Sequence, residues 1–529
     1  MKRYELIVIG AGPAGLSAAI EAASNGMDVI VFDENSKPGG QLLKQIHKFF
    51  GSKAHKAKER GFKIGEELLK EARELGVEVV LNAVVIGIFQ NKEVNVMLDG
   101  QIKHIKANNI IIATGASENV VPFPGWTMPG VIGAGAAQTM MNIHGLKPGN
   151  KILMVGSGNV GLVVAYQLIQ AGCMVKAIID AAPRIGGYGV HATKVARMGV
   201  PFYLSHTIKV AYGSEAVEGA TIVQVDRNWK AIEGSEKKLD VDTICIAVGL
   251  SPMSQLASMA GCDMENNPQK GGTVPICNQY NETSISGIYA AGDVSAIEEA
   301  SSAMIEGRIS GTAVSYNQKY IGKSEFVNRF KEYSESLSQL RQGMFSHENK
   351  GRIDLTKTEE GYDISQNLLQ NGYLSEKEVI KYPGVVSEKV RKRGIVPIIE
   401  CTQNIPCDPC QTACSMGCIK IGNTITNLPV VDENSNCIGC GMCVASCSGQ
   451  AIFLVDENYA PGFAAISMPY ELYPLPQKGD KGVALDRAGK VLGEAQVIEV
   501  KTIKAMDGTN VLTIKVPLEW SMKARFFKY

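Results

Sequence analysis

Gly10-Ala11-Gly12-Pro13-Ala14-Gly15 follows the apolar run Tyr4–Ile9 directly and opens the helix-periodic stretch Gly15–Asn25, after which a second apolar run, Asp28–Phe32, begins. Strand, glycine turn, helix and strand make a βαβ rhythm. A glycine pattern in that setting predicts a dinucleotide-binding fold. The first glycine allows the tight turn, the second lets backbone approach a pyrophosphate, and the third lets helix and strand pack closely. The pyrophosphate then meets the helix N-terminus. Asp33, 23 residues beyond Gly10, ends the second run, where a carboxylate can accept from ribose hydroxyls. A bare glycine-rich turn beside a surface Asp would leave the flanking strand and helix without a reason.

The unit recurs. Lys151–Val155, Val160–Ala171 and Met174–Ile179 repeat the rhythm around Gly156-Ser157-Gly158-Asn159-Val160-Gly161, with Asp180 24 residues past Gly156. An acidic residue there favours a free 2′-hydroxyl, hence NAD over NADP. The alternative is a duplicated fold that keeps its glycines for packing and binds no nicotinamide, with Asp180 an ordinary strand-end residue.

Outward from these units, 529 residues suffice for about three or four domains. The 53 Lys plus Arg balance 53 Asp plus Glu, so no global field gathers phosphate backbones, and nucleic acid is excluded as an expected partner. Gly10, Gly12, Pro13 and Gly15 interrupt the apolar stretch Leu6–Ile20, and no small-residue cleavage site follows it, which argues against a leader. No later run approaches the roughly 18 apolar residues of a transmembrane segment.

Nine of the 13 cysteines fall between Cys401 and Cys447, which in a chain of this length suggests metal rather than disulfides, and a reducing cytoplasm. Cys437-x2-Cys440-x2-Cys443-x3-Cys447 matches the bacterial ferredoxin run, whose fourth thiolate serves the other of two clusters. Shifting this run back by 33 residues places Cys407, Cys410 and Cys414 on Cys440, Cys443 and Cys447, and Ser415 on Ser448, so the segment is an internal repeat. The same shift puts Asn404 where Cys437 stands and Cys418 where Ala451 stands. Asn is a poor iron ligand beside thiolate, and Cys401 lies just upstream. The expected sets are Cys401, Cys407, Cys410 and Cys447 for one [4Fe-4S] cluster, and Cys437, Cys440, Cys443 and Cys414 for the other. Cys418 is then a core thiol, and its exchange with Cys401 is the alternative. Cys173, Cys245, Cys262 and Cys277 read as small buried hydrophobes.

Together with Pro38-Gly39-Gly40-Gln41, Ala113-Thr114-Gly115, Ala247-Val248-Gly249 and Gly287-Ile-Tyr-Ala-Ala-Gly292-Asp293, the two glycine fingerprints resemble the two-dinucleotide-domain flavoproteins, the superfamily of thioredoxin reductase and lipoamide dehydrogenase. The resemblance spans about residues 1 to 320. It implies FAD at the first site, with Asp33 at the adenosine ribose and Asp293 toward the ribityl chain and pyrophosphate, and NAD(P) at the second. Neither Gly39–Phe50 nor Gly133–Met141 contains a cysteine, which excludes a dithiol reductase. The domain order also resembles the alpha subunits of dye-linked, multi-subunit amino or imino acid dehydrogenases: proline dehydrogenase, opine oxidase and hydrogen cyanide synthase. That resemblance implies an electron-relay subunit of a hetero-oligomer, the substrate being oxidised in a second flavoprotein subunit and a redox carrier or ferredoxin exchanging electrons with the complex. The two-cluster segment departs from the simpler Cys-rich module of many members, so the choice among proline-, hydroxyproline- and opine-type substrates stays open.

The expected fold is α/β, with two Rossmann-like three-layer nucleotide-binding domains, an α+β two-cluster ferredoxin-like domain and a small C-terminal β domain. Its boundaries are 1–118 and 251–321 for the FAD-binding domain, 119–250 for the NAD(P)-binding-like domain, 322–395 for a helical connector, 396–455 for the cluster domain and 456–529 for the β domain. Ser375 and Glu378 form a candidate capping box in the connector. Gln496–Ile503 and Val511–Val516 read as strands joined at Asp507-Gly508. The basic run Arg391–Arg393 reads as a solvated face. His47, His55, His104, His144, His191, His206 and His347 show no metal-like spacing, and no catalytic residue is assigned. Two rivals stand beside the relay: an NADH-dependent ferredoxin-type reductase resembling the small chain of glutamate synthase, and a redox-sensing or structural subunit.

Overall fold

The structure, a computed structural model, describes residues 3–349 and 357–529. The chain forms two compact units, each assembled from two stretches: Met1–Asn119 with Leu250–Ile353, and Val120–Gly249 with Asp354–Tyr529.

In the first unit the strands Glu78–Val80, Val29–Phe32, Arg3–Ile9 and Gln101–Ile112 lie side by side in parallel. Ile288–Ala290 joins the C-terminal half of Gln101–Ile112, also in parallel, while its N-terminal half pairs antiparallel with Glu93–Leu98 and, through it, with Val84–Ile88. Side chains alternate across a strand, and both faces here are covered: Leu6 and Val8 enter one core, Ile7 and Ile9 the other. The helices Pro13–Ser24 and Ala300–Asn317 pack over the first core, and small residues let them come close. A Cβ on Gly307 would lie 2.1 Å from the Ala14 carbonyl oxygen, and one on Gly311 2.6 Å from that of Ala18.

The stretch expected as a connector divides between the units. The helix Lys323–Arg341 belongs to the first: Phe326 stacks on Tyr316 at 4.4 Å, and the Glu21 carboxylate accepts from Arg329 at 2.7 Å and Tyr333 at 2.9 Å. Residues 350–356 of that stretch lie outside the described residues. Its remainder belongs to the second unit, where Ser375 and Glu378 make the capping box on the short helix Glu376–Val379. Arg391 is not on a solvated face: only 14% exposed, it bonds the Glu457 carboxylate at 2.9 Å.

The second unit holds a five-stranded parallel sheet in the order Phe202–Leu204, Met174–Asp180, Lys151–Val155, Thr243–Ile246, Val131–Gly133. Ile152 and Met154 face a helical layer that includes Leu162 and Val195, and Leu153 and Val155 face an antiparallel layer that includes Ile208 and Ile222.

The same unit contains a seven-stranded antiparallel sheet in the order Val396–Ile399, Ile452–Ala460, Phe463–Tyr470, Asn510–Pro517, Val491–Lys501, Lys481–Leu485, Phe526–Lys528. Val396 pairs with Val455 and Ile399 with Ile452, so the cysteine segment is a long excursion between two neighbouring strands of this sheet. The boundary expected at 455/456 falls inside the strand Ile452–Ala460. Within the excursion, the helices Pro409–Ala413 and Met442–Ser446 stand in the same 33-residue relation as the cysteines. No helix of the described residues is long and apolar enough to cross a membrane.

Candidate functional site

The first glycine loop is shaped by its own backbone. Gly10 has φ +104°, and a Cβ there would lie 2.3 Å from the Ala113 carbonyl oxygen; on Gly15 it would lie 1.8 Å from that of Gly10. Gly12 differs, since a Cβ there would meet only the Gly40 Cα, at 4.0 Å. Helix Pro13–Ser24 has no side-chain cap and no acid in its first turn, so its N-terminus is open to an anion. Asp33 is buried; its carboxylate accepts from the Ala11 N–H at 2.6 Å and the Asn35 N–H at 2.8 Å, clasping the loop to the strand end. The Gly39 N–H donates to the Ala11 carbonyl at 2.7 Å, laying Gly40 on Gly12, with Gln41 exposed beside them. Thr114 donates to the Met253 carbonyl at 2.7 Å, and the Met253 N–H to the Gly115 carbonyl at 2.9 Å. Gly292 packs on Ala14, where a Cβ would lie 2.9 Å from the Ala14 Cβ, and Asp293 accepts from the Glu298 N–H at 3.1 Å. These residues fit a dinucleotide, with space left above Gly12 where its pyrophosphate would lie.

The second loop repeats the arrangement. A Cβ on Gly156 would lie 2.1 Å from the Ala247 carbonyl oxygen, one on Gly161 2.2 Å from that of Gly156, and one on Gly158 would meet nothing within 4 Å. Asp180 accepts from the Ser157 N–H at 2.8 Å, the Ser157 hydroxyl at 2.6 Å and the Ala182 N–H at 2.9 Å, the same clasp that Asp33 makes. Asn159 accepts from the Tyr188 N–H, Val160 is exposed on the first turn of the helix Asn159–Gln170, and Gly249 turns with φ +108° after the strand Thr243–Ile246.

The thiols of the excursion fall into two groups. Burial raises the Cys401 thiol to about 12, with Cys447 contributing, and raises that of Cys410 well above its ordinary value, with Cys447 and Cys401 contributing. Cys407 lies just before the helix that carries Cys410. In the other group Cys414, Cys418, Cys437, Cys440 and Cys443 line one apolar cavity with Met416, Ile419, Ile438 and Leu454. The Cys418 N–H donates to the Cys414 sulfur at 3.2 Å and the Ala451 N–H to the Cys447 sulfur at 3.4 Å, a pair related by the 33-residue repeat. Asn404 does not face iron-type chemistry: its amide donates to Glu360 and the Thr426 carbonyl, and its oxygen accepts from the Glu359 N–H. Among the described residues no three His, Cys, Asp or Glu side chains converge as a site for a single ion.

Sequence reasoning missed two buried charge networks. Arg341 grips Glu298 at 3.1 Å and Glu306 at 2.5 Å, His347 pairs with Glu298, and Glu306 accepts from the Gly292 N–H at 2.7 Å, bracing the loop of Asp293. Glu400 holds Arg487 and Arg525, each at 2.6 Å. Partners 35 to 125 residues apart leave no local signal. Of the isolated cysteines, Cys173, Cys245 and Cys262 are buried, while Cys277 is half-buried.

The family described as pyridine nucleotide-disulphide oxidoreductase matches residues 4–307, more than half of the chain and both glycine loops. The chain belongs to this family. It is therefore a flavoprotein oxidoreductase, although neither Gly39–Phe50 nor Gly133–Met141 carries a cysteine. An opine oxidase subunit of Agrobacterium tumefaciens is 28% identical over 335 residues, covering 60% of this chain and 66% of that one, so the match spans just under two-thirds of that relative. Hydrogen cyanide synthase subunit HcnB of Pseudomonas aeruginosa is 26% identical over 381 residues, 67% of this chain and 81% of that one. L-proline dehydrogenase from P. horikoshii has a similar fold, with a TM-score of 0.50 at 22% identity, covering 64% of this chain and 59% of that one.

Proposed function

We propose that this chain is the electron-relay subunit of a multi-subunit amino or imino acid dehydrogenase of proline, hydroxyproline or opine type, holding FAD at Gly10–Gly15 and two [4Fe-4S] clusters in a ferredoxin-like excursion. The observation that carries it is the separation of the cysteines into two groups, in a chain that matches a family of flavoproteins. When bound, FAD takes two electrons together and the clusters pass them singly, which suits a relay between a two-electron donor and a one-electron carrier. Gly12 leaves the pyrophosphate its approach, Asp33 and Asp293 hold the loops on either side, and the helix N-terminus supplies the positive end of its dipole. Cys401 lies with Cys410 and Cys447, and Cys418 with Cys414, which supports Cys401 rather than Cys418 as ligand of the first set. The relatives named as subunits support a hetero-oligomer; in this reading a second flavoprotein subunit binds the substrate, in a reducing cytoplasm.

Anaerobic purification with co-purifying subunits tests this reading. The expected preparation carries one FAD and about eight iron atoms per chain, and the amine or imino acid bleaches the flavin only with the partner present. Zinc in place of iron sinks it. A second reading, NADH-dependent reduction of a ferredoxin-type carrier, is favoured by the unobstructed Gly158 and the intact Asp180 clasp. Stopped-flow bleaching by NADH without any partner decides for it, and its absence decides against it.

A further inference from the structure

Beside the first cysteine group the second unit buries four cationic side chains. Lys194, Arg197, Arg487 and Arg525 are all buried, and so is Glu400. Arg487 and Arg525 share the Glu400 carboxylate, which cannot balance both. Arg197 is held instead by neutral oxygens, donating to the Gln450 carbonyl at 3.0 Å and its side-chain oxygen at 3.3 Å, while its Nε has no hydrogen-bond partner. Arg197 and Arg525 both lie against the Phe453 ring, and the Lys194 ammonium lies 5.0 Å from the centre of the Tyr166 ring. Glu400 and Glu471 also attract Arg197, and Glu376 attracts Arg525.

All of this adjoins the thiols. Glu400 precedes Cys401, and its N–H donates to the Ala451 carbonyl. The Gln450 N–H donates to the Cys447 carbonyl, and Lys194 and Arg197 both interact electrostatically with Cys447. The second group has different surroundings. Its cavity is lined by apolar side chains, Cys440 is exposed, and Lys501, which donates to the Gly439 carbonyl, is 28% exposed and lies 3.5 Å from Glu499.

A thiolate-ligated cluster is anionic and becomes more so on accepting an electron. Burial alone opposes that added charge, but cations in the same low-dielectric interior favour it more strongly than they would in water. We propose that Lys194, Arg197, Arg487 and Arg525 form a cationic shell that makes the cluster of Cys401, Cys407, Cys410 and Cys447 the easier of the two to reduce, and so the electron sink of the chain. The inference rests on the relay reading. It makes Arg197 and Lys194 tuning residues that need no contact with substrate.

Potentiometric titration of the anaerobically purified full chain, followed by electron paramagnetic resonance, reads both clusters separately. Two one-electron waves are expected. Arg197→Met should lower the upper wave by about 59 mV, a roughly tenfold loss of reduced cluster at fixed potential, and leave the lower wave in place. Lys194→Met should move the same wave in the same direction, Arg197→Lys should leave it near the native value, and Cys440→Ser should abolish the lower wave. An upper wave unmoved in both charge-removing variants that retain their iron overturns the proposal, as do equal shifts of both waves or loss of the upper wave in Cys440→Ser. Absence of iron from the native chain instead overturns the relay reading, and this inference with it.

Discussion

Gly12 and Gly15 stand three residues apart, yet their substitution should fail in different ways. A Cβ at Gly12 would meet only the Gly40 Cα, at the ordinary contact distance of 4.0 Å, so Gly12→Val should fold with native circular dichroism and lack visible flavin absorbance. Gly15→Ala would drive a Cβ to 1.8 Å from a backbone oxygen, and overpacking of that kind costs about 1–3 kcal/mol or more, read as a lower thermal midpoint. Asp180→Ser removes both an acceptor for a 2′-hydroxyl and the repulsion of a 2′-phosphate. If the second site binds nicotinamide, NADH should outcompete NADPH in the native protein, and the variant should narrow that preference in stopped-flow flavin reduction. The glycines and both aspartates were legible because their spacing is local and each turn has a fixed geometry. The carboxylate clasp on the loop was not, since it depends on where Ala11 and Ser157 present their N–H groups.

At the scale of elements, the cysteine spacing showed the 33-residue repeat, and the two short helices follow it. The pairing of Val396–Ile399 with Ile452–Val455 was not readable, because a ladder between residues some fifty positions apart leaves no mark in either strand alone. Glu400 ends the first of these strands. Burial by itself would raise its carboxyl, but the guanidiniums of Arg487 and Arg525 more than reverse this and hold it at about 2, against an ordinary 4.5. A depressed carboxyl contributes its stability fully above about pH 4.5 and loses it as the pH falls toward 2, a span worth about 3 kcal/mol. Glu400→Gln should therefore cost roughly 3–5 kcal/mol near neutrality by stranding two buried guanidiniums. It should also remove this part of the acid dependence. Denaturant titrations of both proteins at several pH values measure the difference.

For the whole molecule, the chain leaves the first unit after Asn119 and returns to it at Leu250, so that unit is discontinuous in sequence, as the two-part domain 1–118 and 251–321 is. The helix Lys323–Arg341 belongs with the first unit because Phe326 and Glu21 bind it there, contacts that composition does not announce. With the Gly10–Gly15 loop in one unit and the thiols in the other, the relay reading expects independent cofactor loading: Gly12→Val should keep its iron, and Cys440→Ser should keep its flavin while losing about four iron atoms. Loss of both groups in either variant would contradict this. The excursion also bears on descent. Because residues 400 and 451 meet across one rung beyond the Ile399–Ile452 pair, everything between them could be gained, shortened or exchanged without changing the register of the flanking strands. Lineages of this family are thus free to differ in this insert while inheriting the same sheet, and replacing 401–450 with a tight turn, with Glu400 kept on Arg487 and Arg525, should leave a folded flavoprotein without its thiol wire.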